Sequence, residues 1–551
     1  MSFSKDNVRE MITGGLRRKS MKEVNNAGGA GTFATNDLQQ LQRFLILGCE
    51  GGTYYTTEAR LAIENATAIT RLLASGKGAE AVDAIVAVST EGRAAKQGPT
   101  LFAFAMCARL GDIETRRRCY QNLPKVCRIP THLFMFIGMA EQLGTGSGWG
   151  RLQRNAIAEF YNNKPASTLA YLVTKYKNRE GWTHRDVLRK AHVKPTTPPT
   201  TAVLRYAAKG WEEDGANIRA ALPEGDLDAT DEGVKAVAFL AAVEEAKTAD
   251  ETRLIELIEA YRLAREHIPS IHLNSVAVWT QLLKSMPMTA MLRNLAKMTA
   301  IGVIAPLSES TKTVCDALIN EDMLQRARVH PFSVLLAMKQ YEKGHGDKGN
   351  LTWTANQQVT SALDIAFYKA FENVKPTGKR FLLGMDVSGS MSCGSVHGAP
   401  CLTPRIAAAA MAMVTMRTEE VCHTVAFTGH IVELKINARM SINKVIDTCS
   451  LLPFGATDCA QPMLYAMEHN IMVDCFIIYT DCETWAGSVT PSQALFEYRK
   501  QSGINDAKLI VVAMTSGGFT IADPNDAGMI DIVGFDSACP EIIRAFVDGS
   551  I

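Results

Sequence analysis

The period of the apolar residues changes once along this chain, near residue 375, and that change limits the fold more than any single motif. From about Leu38 to Phe371, apolar residues recur at spacings of three and four, as in Ala79 to Val88, Leu101 to Leu110, Leu133 to Leu143, Val234 to Ala246, Leu254 to Ala264 and Val276 to Leu283. This is the pattern of amphipathic helices, and Gly, Pro or Asn separates many of the segments. So many consecutive helices cannot share one small bundle. Stacked helix pairs of the HEAT or armadillo kind bury each apolar stripe against a neighbour.

After Lys375-Pro-Thr-Gly-Lys-Arg380 the apolar residues gather instead into short runs: Phe381 to Ser388, Val421 to Thr428, Asp474 to Asp481 and Ala507 to Thr515. Helical segments such as Arg405 to Thr418 and Gln461 to His469 lie between them. Continuous apolar strands alternating with helices mark a parallel sheet covered on both faces. The expected organisation is a mobile, Gly-rich lead-in over residues 1–37, a helical-repeat module over 38–374 and a doubly wound α/β domain over 375–551. The string Gly29-Ala-Gly-Thr-Phe-Ala34 fits a dinucleotide-binding expression, but Met21-Lys-Glu-Val-Asn-Asn26 before it does not read as the buried strand that motif needs.

Formal neutrality hides a division of charge. The chain is net +1, yet residues 381–551 carry nine Lys/Arg against eighteen Asp/Glu, a net of −9, which leaves +10 on residues 1–380. Within the basic part, Arg151 to Gly210 hold twelve cations and three acids. The excess peaks in Thr174 to Asp186 and Arg189 to Pro195, where Lys175, Lys177, Arg179, Arg185, Arg189 and Lys190 are mixed with Tyr176, Trp182, His184 and His192. On a helix ending near Gly181, Lys175 and Arg179 share a face. Cations and aromatics in one cluster suit phosphates and unpaired bases. From charge alone, the acidic C-terminal half competes with a nucleic acid as the partner of this face, and Tyr176 and Trp182 could equally be core residues.

Thirteen cysteines at scattered positions, with no C-x-x-C pair, read as buried thiols in a reducing compartment rather than a zinc site or a disulfide framework. Neither a secretory leader nor an apolar run of membrane-spanning length is expected.

The first strand of the α/β part runs into Asp386-Val-Ser388-Gly-Ser390. One carboxylate and two hydroxyls on a tight loop are hard oxygen donors, suited to Mg²⁺ and not to zinc. Two further loops could complete the set: Gly455-Ala-Thr457-Asp458 follows a helical stretch and offers a hydroxyl, and Asp481 closes the next apolar strand, at the strand end where open α/β sheets bind ligands. Enzyme patterns are absent: Asp386-Val-Ser388 lacks the second aspartate of an aspartyl-phosphate phosphatase, neither serine sits in G-x-S-x-G, and Gly378-Lys379-Arg380 does not complete a P-loop.

Asp386, Ser388, Ser390, Thr457 and Asp481 in this order resemble the metal-ion-dependent adhesion site of von Willebrand factor A domains. The wider chain resembles the Ro/SS-A ribonucleoprotein autoantigen family, on Glu50 to Tyr55, Cys127 to Phe134, Thr174 to Lys177, Met286 to Ala290, Leu292 to Ala300, Pro376 to Leu383 and Thr515 to Pro524. That resemblance implies a HEAT-like ring, the TROVE module, sealed by the A-like domain in a monomer with no membrane attachment. It implies a non-catalytic cytoplasmic protein with a nuclear fraction. Y RNAs would bind the basic outer surface, and misfolded noncoding RNAs would pass a single-stranded 3′ end into the central hole, for RNA quality control. Residue by residue it places RNA contacts at Lys175, Lys177, Arg179 and His192, with Arg185, Arg189 and Lys190 beside them, and Mg²⁺ at Asp386, Ser388, Ser390, Thr457 and Asp481. The alternative is a protein-interaction scaffold whose A-like domain takes a partner's carboxylate through the metal.

Overall fold

The computed structural model describes residues 23–25, 31–48, 58–94, 96–143, 148–223, 231–346, 350–371, 375–393, 402–453, 455–482, 484 and 486–550. The first long helix, Asp37–Leu47, begins where its amides are satisfied. Asn36 accepts from the Gln39 amide at 2.8 Å, and the Gln39 side chain accepts from the Asn36 amide at 3.0 Å. From there, helices two apart in sequence lie side by side. Gly78–Glu91 packs on Ile113–Val126, which packs on Arg151–Asn162, while Gly98–Leu110 packs on Pro130–Gln142. This is the stacking of successive helix pairs, each burying the stripe its neighbour leaves open.

The two ends of the array meet. Arg328, in left-handed backbone at φ 49°, lies against Gly92, where an added Cβ would stand 3.2 Å from the Arg328 Cβ. Nearby, one cavity has Ala94 and Gln97 on one wall, and Leu292, Phe332 and Leu336 on the other.

The C-terminal domain is built on a six-stranded sheet. Its strands are β5 (Arg380–Asp386), β6 (Val421–Phe427), β7 (Ile431–Val432), β8 (Cys475–Thr480), β9 (Lys508–Ala513) and β11 (Met529–Val533), in the order β11-β9-β8-β5-β6-β7. All pairs are parallel except β6 with β7. Side chains alternate between two cores. Phe381, Leu383, Met385, Ile477, Tyr479, Ile510 and Val512 face one way, with helices Pro404–Thr418, Ile442–Ser450 and Cys539–Val547. Leu382, Phe476, Ile478, Leu509 and Val511 face the other, with Gln461–Glu468 and Pro491–Ser502. The chain leaves β5 toward β6 on one side and reaches β8 on the other, so the strand order reverses between β5 and β8, the place where such sheets open a crevice.

Both ends of the helical array grip this domain. Arg43 is 1% exposed; it donates to the Gly517 and Phe519 carbonyls at 2.7 Å each and pairs with Asp531 on β11. Arg93 donates through Nε to Asp536 at 2.9 Å. From the far end, the Phe332 and Phe535 rings meet edge to face at 5.5 Å. Asp364 accepts from the Ile442 amide at 3.1 Å, and the Arg417 guanidinium lies 3.8 Å from the centre of the Tyr368 ring.

The lead-in differs from its expectation where it is described. Glu23–Asn25 (β1) pairs antiparallel with Gly31–Ala34 (β2), and β2 pairs with Phe519–Thr520 (β10) of the C-terminal domain. Strands of three or four residues are too short to show a period, and the decisive partner lies far along the chain. Residues 1–22 and 26–30, including part of the dinucleotide-like string, lie outside the described residues. Among those described, no helix is long and apolar enough to cross a membrane.

The buried clamp gives a graded prediction. Arg93→Ala, which strands Asp536 without its cation, lowers unfolding stability by about 3–5 kcal/mol. Arg118→Ala, breaking the exposed Arg118–Asp83 pair, costs less than about 1 kcal/mol. Urea unfolding midpoints of the two variants decide it.

Candidate nucleic-acid interface and metal centre

At the crevice, β5 ends in Asp386 and β8 runs into Asp481. The Ser388 amide donates to Asp386 Oδ1 at 2.8 Å, folding the loop back on the carboxylate, and the Ser388 and Ser390 hydroxyls lie 3.0 Å apart. Thr480 Oγ1 donates to Asp386 Oδ2 at 2.7 Å. Arg405 holds the loop from behind through the Val387 carbonyl at 2.6 Å. The Thr457 loop is tied to the loop after β8, since its carbonyl accepts from Thr484 Oγ1 at 3.2 Å and from the Ala486 amide at 2.9 Å. The five expected donors therefore come from three loops at one end of one sheet, and all are buried.

Two observations test whether a hard cation suits these residues. Burial pushes the Asp386 carboxyl above its ordinary range, opposed by the hydroxyl and amide donors and by Arg405. The Thr457 hydroxyl is buried with no hydrogen-bond partner among the described residues. An unsatisfied hydroxyl beside a desolvated carboxylate is what a hydroxyl-and-carboxylate cation site leaves. Among the described residues no cluster of three or more His, Cys, Asp or Glu side chains forms. The insert from 394 to 401 lies outside the described residues.

The basic stretch folds differently from its expectation. The helix Ala166–Lys175 stops at Lys175, and Asn178–Arg179 (β3) pairs with Trp182–Thr183 (β4). The two residues between them, Glu180 at φ 52° and Gly181 at φ 77°, make the left-handed turn that a tight hairpin requires. Lys175 and Arg179 thus share no helix face. Thr183, in a capping box with Asp186, starts the next helix, His184–Ala191, and His192 ends it in left-handed backbone.

The seven expected cations and imidazoles fall into groups. Arg189, Lys190 and His192 line an open groove of about 1030 Å³ with Arg154, Trp149 and Trp182. The two indoles lie 5.8 Å apart, and Lys190 Nζ sits 5.0 Å from the Trp182 ring centre. Lys175 and Lys177 belong to a neighbouring group. Lys175 donates to the Tyr171 hydroxyl at 2.9 Å over the Tyr171 and Tyr176 rings, and both lysines add to the burial that lowers His267 to about 4. Arg179 and Arg185 are exposed outside the groove, Arg179 at 3.3 Å from Glu180. His184 is a core residue. Its Nδ1 faces the Tyr161 hydroxyl at 2.9 Å, its Nε2 faces the Tyr176 carbonyl at 2.9 Å, and burial lowers it to about 4. Trp149 was not legible as the buried wall behind this groove, where its indole N–H donates to Glu141; its only signal was an aromatic set among glycines in Gly146-Ser-Gly-Trp-Gly150.

Residues 24–340 match the TROVE domain family, and residues 380–547 match the Ro60 vWA domain. The chain belongs to the Ro60 family. A Ro60 relative from Caenorhabditis elegans, named RNA-binding protein RO60, is 37% identical over 98% of this chain and 94% of its own length. Another of the same name from Deinococcus radiodurans is 37% identical over 97% of each. The crystal structure of the Deinococcus radiodurans RO (RSR) protein superposes with a TM-score of 0.68 at 36% identity, covering 94% of this chain and all of that one. The Ro60 match to the C-terminal domain spans all five strand-end donors, and the TROVE match spans the groove.

His184 yields a pH prediction. Its folded value of about 4 lies below the ordinary 6.5, so above about pH 6.5 its contribution is fully present. As pH falls from there toward about 4, the unfolded chain takes up a proton that the folded chain refuses, and stability drops. His184→Gln, which cannot take that proton, shows a shallower loss of unfolding free energy across this window than the unaltered protein.

Proposed function

We propose that this chain is an RNA-binding scaffold without catalysis of its own, holding small structured RNAs of the Y type on its outer basic surface. Misfolded noncoding RNAs present a single-stranded 3′ end to the opening the helical array encloses, and the protein serves their quality control. The observation that carries the reading is the groove in which the half-buried Trp182, backed by the buried Trp149, stands beside Arg154, Arg189, Lys190 and His192. Guanidinium and ammonium groups hold phosphates without reading sequence, and indole faces stack on unpaired bases. The wide spread of cations through Lys175, Lys177, Arg179 and Arg185 suits a backbone too long for the groove alone. The relatives' name, RNA-binding protein, supports the same class of partner. We place the protein as a monomer in the cytoplasm with a nuclear fraction.

Asp386, Ser388, Ser390, Thr457 and Asp481 are the residues that would hold Mg²⁺. When bound, the ion supplies a coordination position for a carboxylate from a protein partner. This gives the second reading, a metal-dependent protein contact, a basis in the buried Thr457 hydroxyl.

Affinity for a stem-loop RNA with a 3′ single-stranded tail, measured over a salt series against a tail-trimmed form, tests the RNA reading. Tailed RNA binds more tightly, and the double variant Arg189→Ala, Lys190→Ala makes the log–log salt slope shallower by about 0.7–0.9 for every phosphate it ceases to neutralise. No binding at low salt would overturn it. For the metal, Mg²⁺ raises the thermal unfolding midpoint of the unaltered protein, and Thr457→Val, similar in size but without the hydroxyl, reduces or abolishes that rise.

A further inference from the structure

The seam where the helical array closes on itself holds a second cavity, of about 490 Å³, far from both sites above in sequence and lining. Its walls come from the two ends of the array: Ala94, Lys96 and Gln97 before helix Gly98–Leu110 on one side, and helices Met288–Ala300 and Pro331–Glu342 on the other. Leu292, Ala296, Leu336 and Ala337 give it an apolar floor, while the Gln97 and Gln340 amides offer donors and acceptors. The charged residues of the lining are Lys96, Arg293 and Arg328, and no Asp or Glu is among them.

The charge at this seam is crowded. Arg128 is held by the Ser89 carbonyl and hydroxyl at 2.8 Å and 2.9 Å, and its guanidinium is pushed below its ordinary value first by burial and then by the like charge of Arg328. Arg293 and Arg328 are both exposed and make no ion pair with any described residue. Arg328 starts its side chain from left-handed backbone with its aliphatic stem against Gly92, and its charged end belongs to the lining of the cavity. Anion binding relieves this repulsion, and the volume and apolar floor leave room for a planar group beyond a bare phosphate.

We infer that the seam cavity binds a nucleoside monophosphate, its phosphate between Arg293, Arg328 and Lys96 and its base on the apolar floor against the two glutamine amides. The nucleotide has two sources, a free metabolite or the 3′-terminal residue of an RNA; only the second rests on the RNA reading above. Because its walls belong to the first and last parts of the array, an occupant also bridges the closure.

The test is titration of the full chain with AMP, inorganic phosphate and adenosine, read by calorimetry and by thermal unfolding. AMP binds and raises the unfolding midpoint, phosphate alone and adenosine alone bind at least tenfold more weakly, and Arg293→Glu with Arg328→Glu weakens AMP at least tenfold. Both arginines are exposed, so an unchanged midpoint without ligand confirms that the variant is folded. The groove variant Arg189→Ala, Lys190→Ala binds AMP as the unaltered protein does, which separates this site from the RNA groove. A single-stranded oligonucleotide that displaces AMP identifies the RNA end as the source, and AMP binding that it leaves undisturbed identifies the free nucleotide. Absence of AMP binding, or binding equal in the Arg293/Arg328 variant, overturns the proposal, whatever the stem-loop RNA experiment gives.

Discussion

Two guanidinium groups buried between domains govern this architecture. Arg43 and Arg93 sit where water cannot reach them, and desolvating each costs several kcal/mol unless carboxylates and carbonyls are in place. Asp531 and Asp536 supply the carboxylates from β11 and the loop after it, and Gly517 and Phe519 supply carbonyls to Arg43. The first helices therefore have one low-energy position relative to the sheet. His330, from the last helices, lies within reach of the backbone of both Arg93 and Phe535, so start, end and C-terminal domain meet at one buried point.

The loop after β8 that carries Asp481 inherits this rigidity. Cys482, which follows Asp481, stands beside Arg43, and Thr515 donates to the Asp481 carbonyl at 3.3 Å. Asp481 is thus braced from the helical side as well as from within the sheet. The basic groove, by contrast, depends on local rules: a hairpin turn, a capping box and a left-handed helix end set Trp182, Lys190 and His192 beside one another.

Much of the fold was legible because long amphipathic helices and fully buried strands write their period into the sequence. Val234 to Ala246 and Val276 to Leu283 coincide closely with helices Glu232–Glu245 and Val276–Leu283, and the four apolar runs after Phe381 are β5, β6, β8 and β9. β11 carries no such signal: Asp531 at its centre breaks the apolar run, and that carboxylate is buried only through a partner 488 residues away. The convergence of the five expected donors was legible in part: Asp386, Ser388, Ser390 and Asp481 end or follow a strand, whereas Thr457 lies between helices Ile442–Ser450 and Gln461–Glu468 and only its residue type marked it. The basic surface was half legible: residue types mark its charge, but the hairpin over 178–183 hides in a stretch whose glutamate adopts backbone that glycine usually supplies. The arginine clamp itself left no local trace.

The same long-range pairing has a consequence for how the chain is made. Arg43 and Arg93 leave the ribosome hundreds of residues before Asp531 and Asp536, so during most of translation the early helices carry cations that cannot be buried. They stay hydrated until β11 and the loop after it emerge. The clamp is thus completed late, and a polypeptide that stalls before β11 has the seam residues of its helical array but carries both guanidinium groups hydrated, without the carboxylates that dock the array onto the sheet.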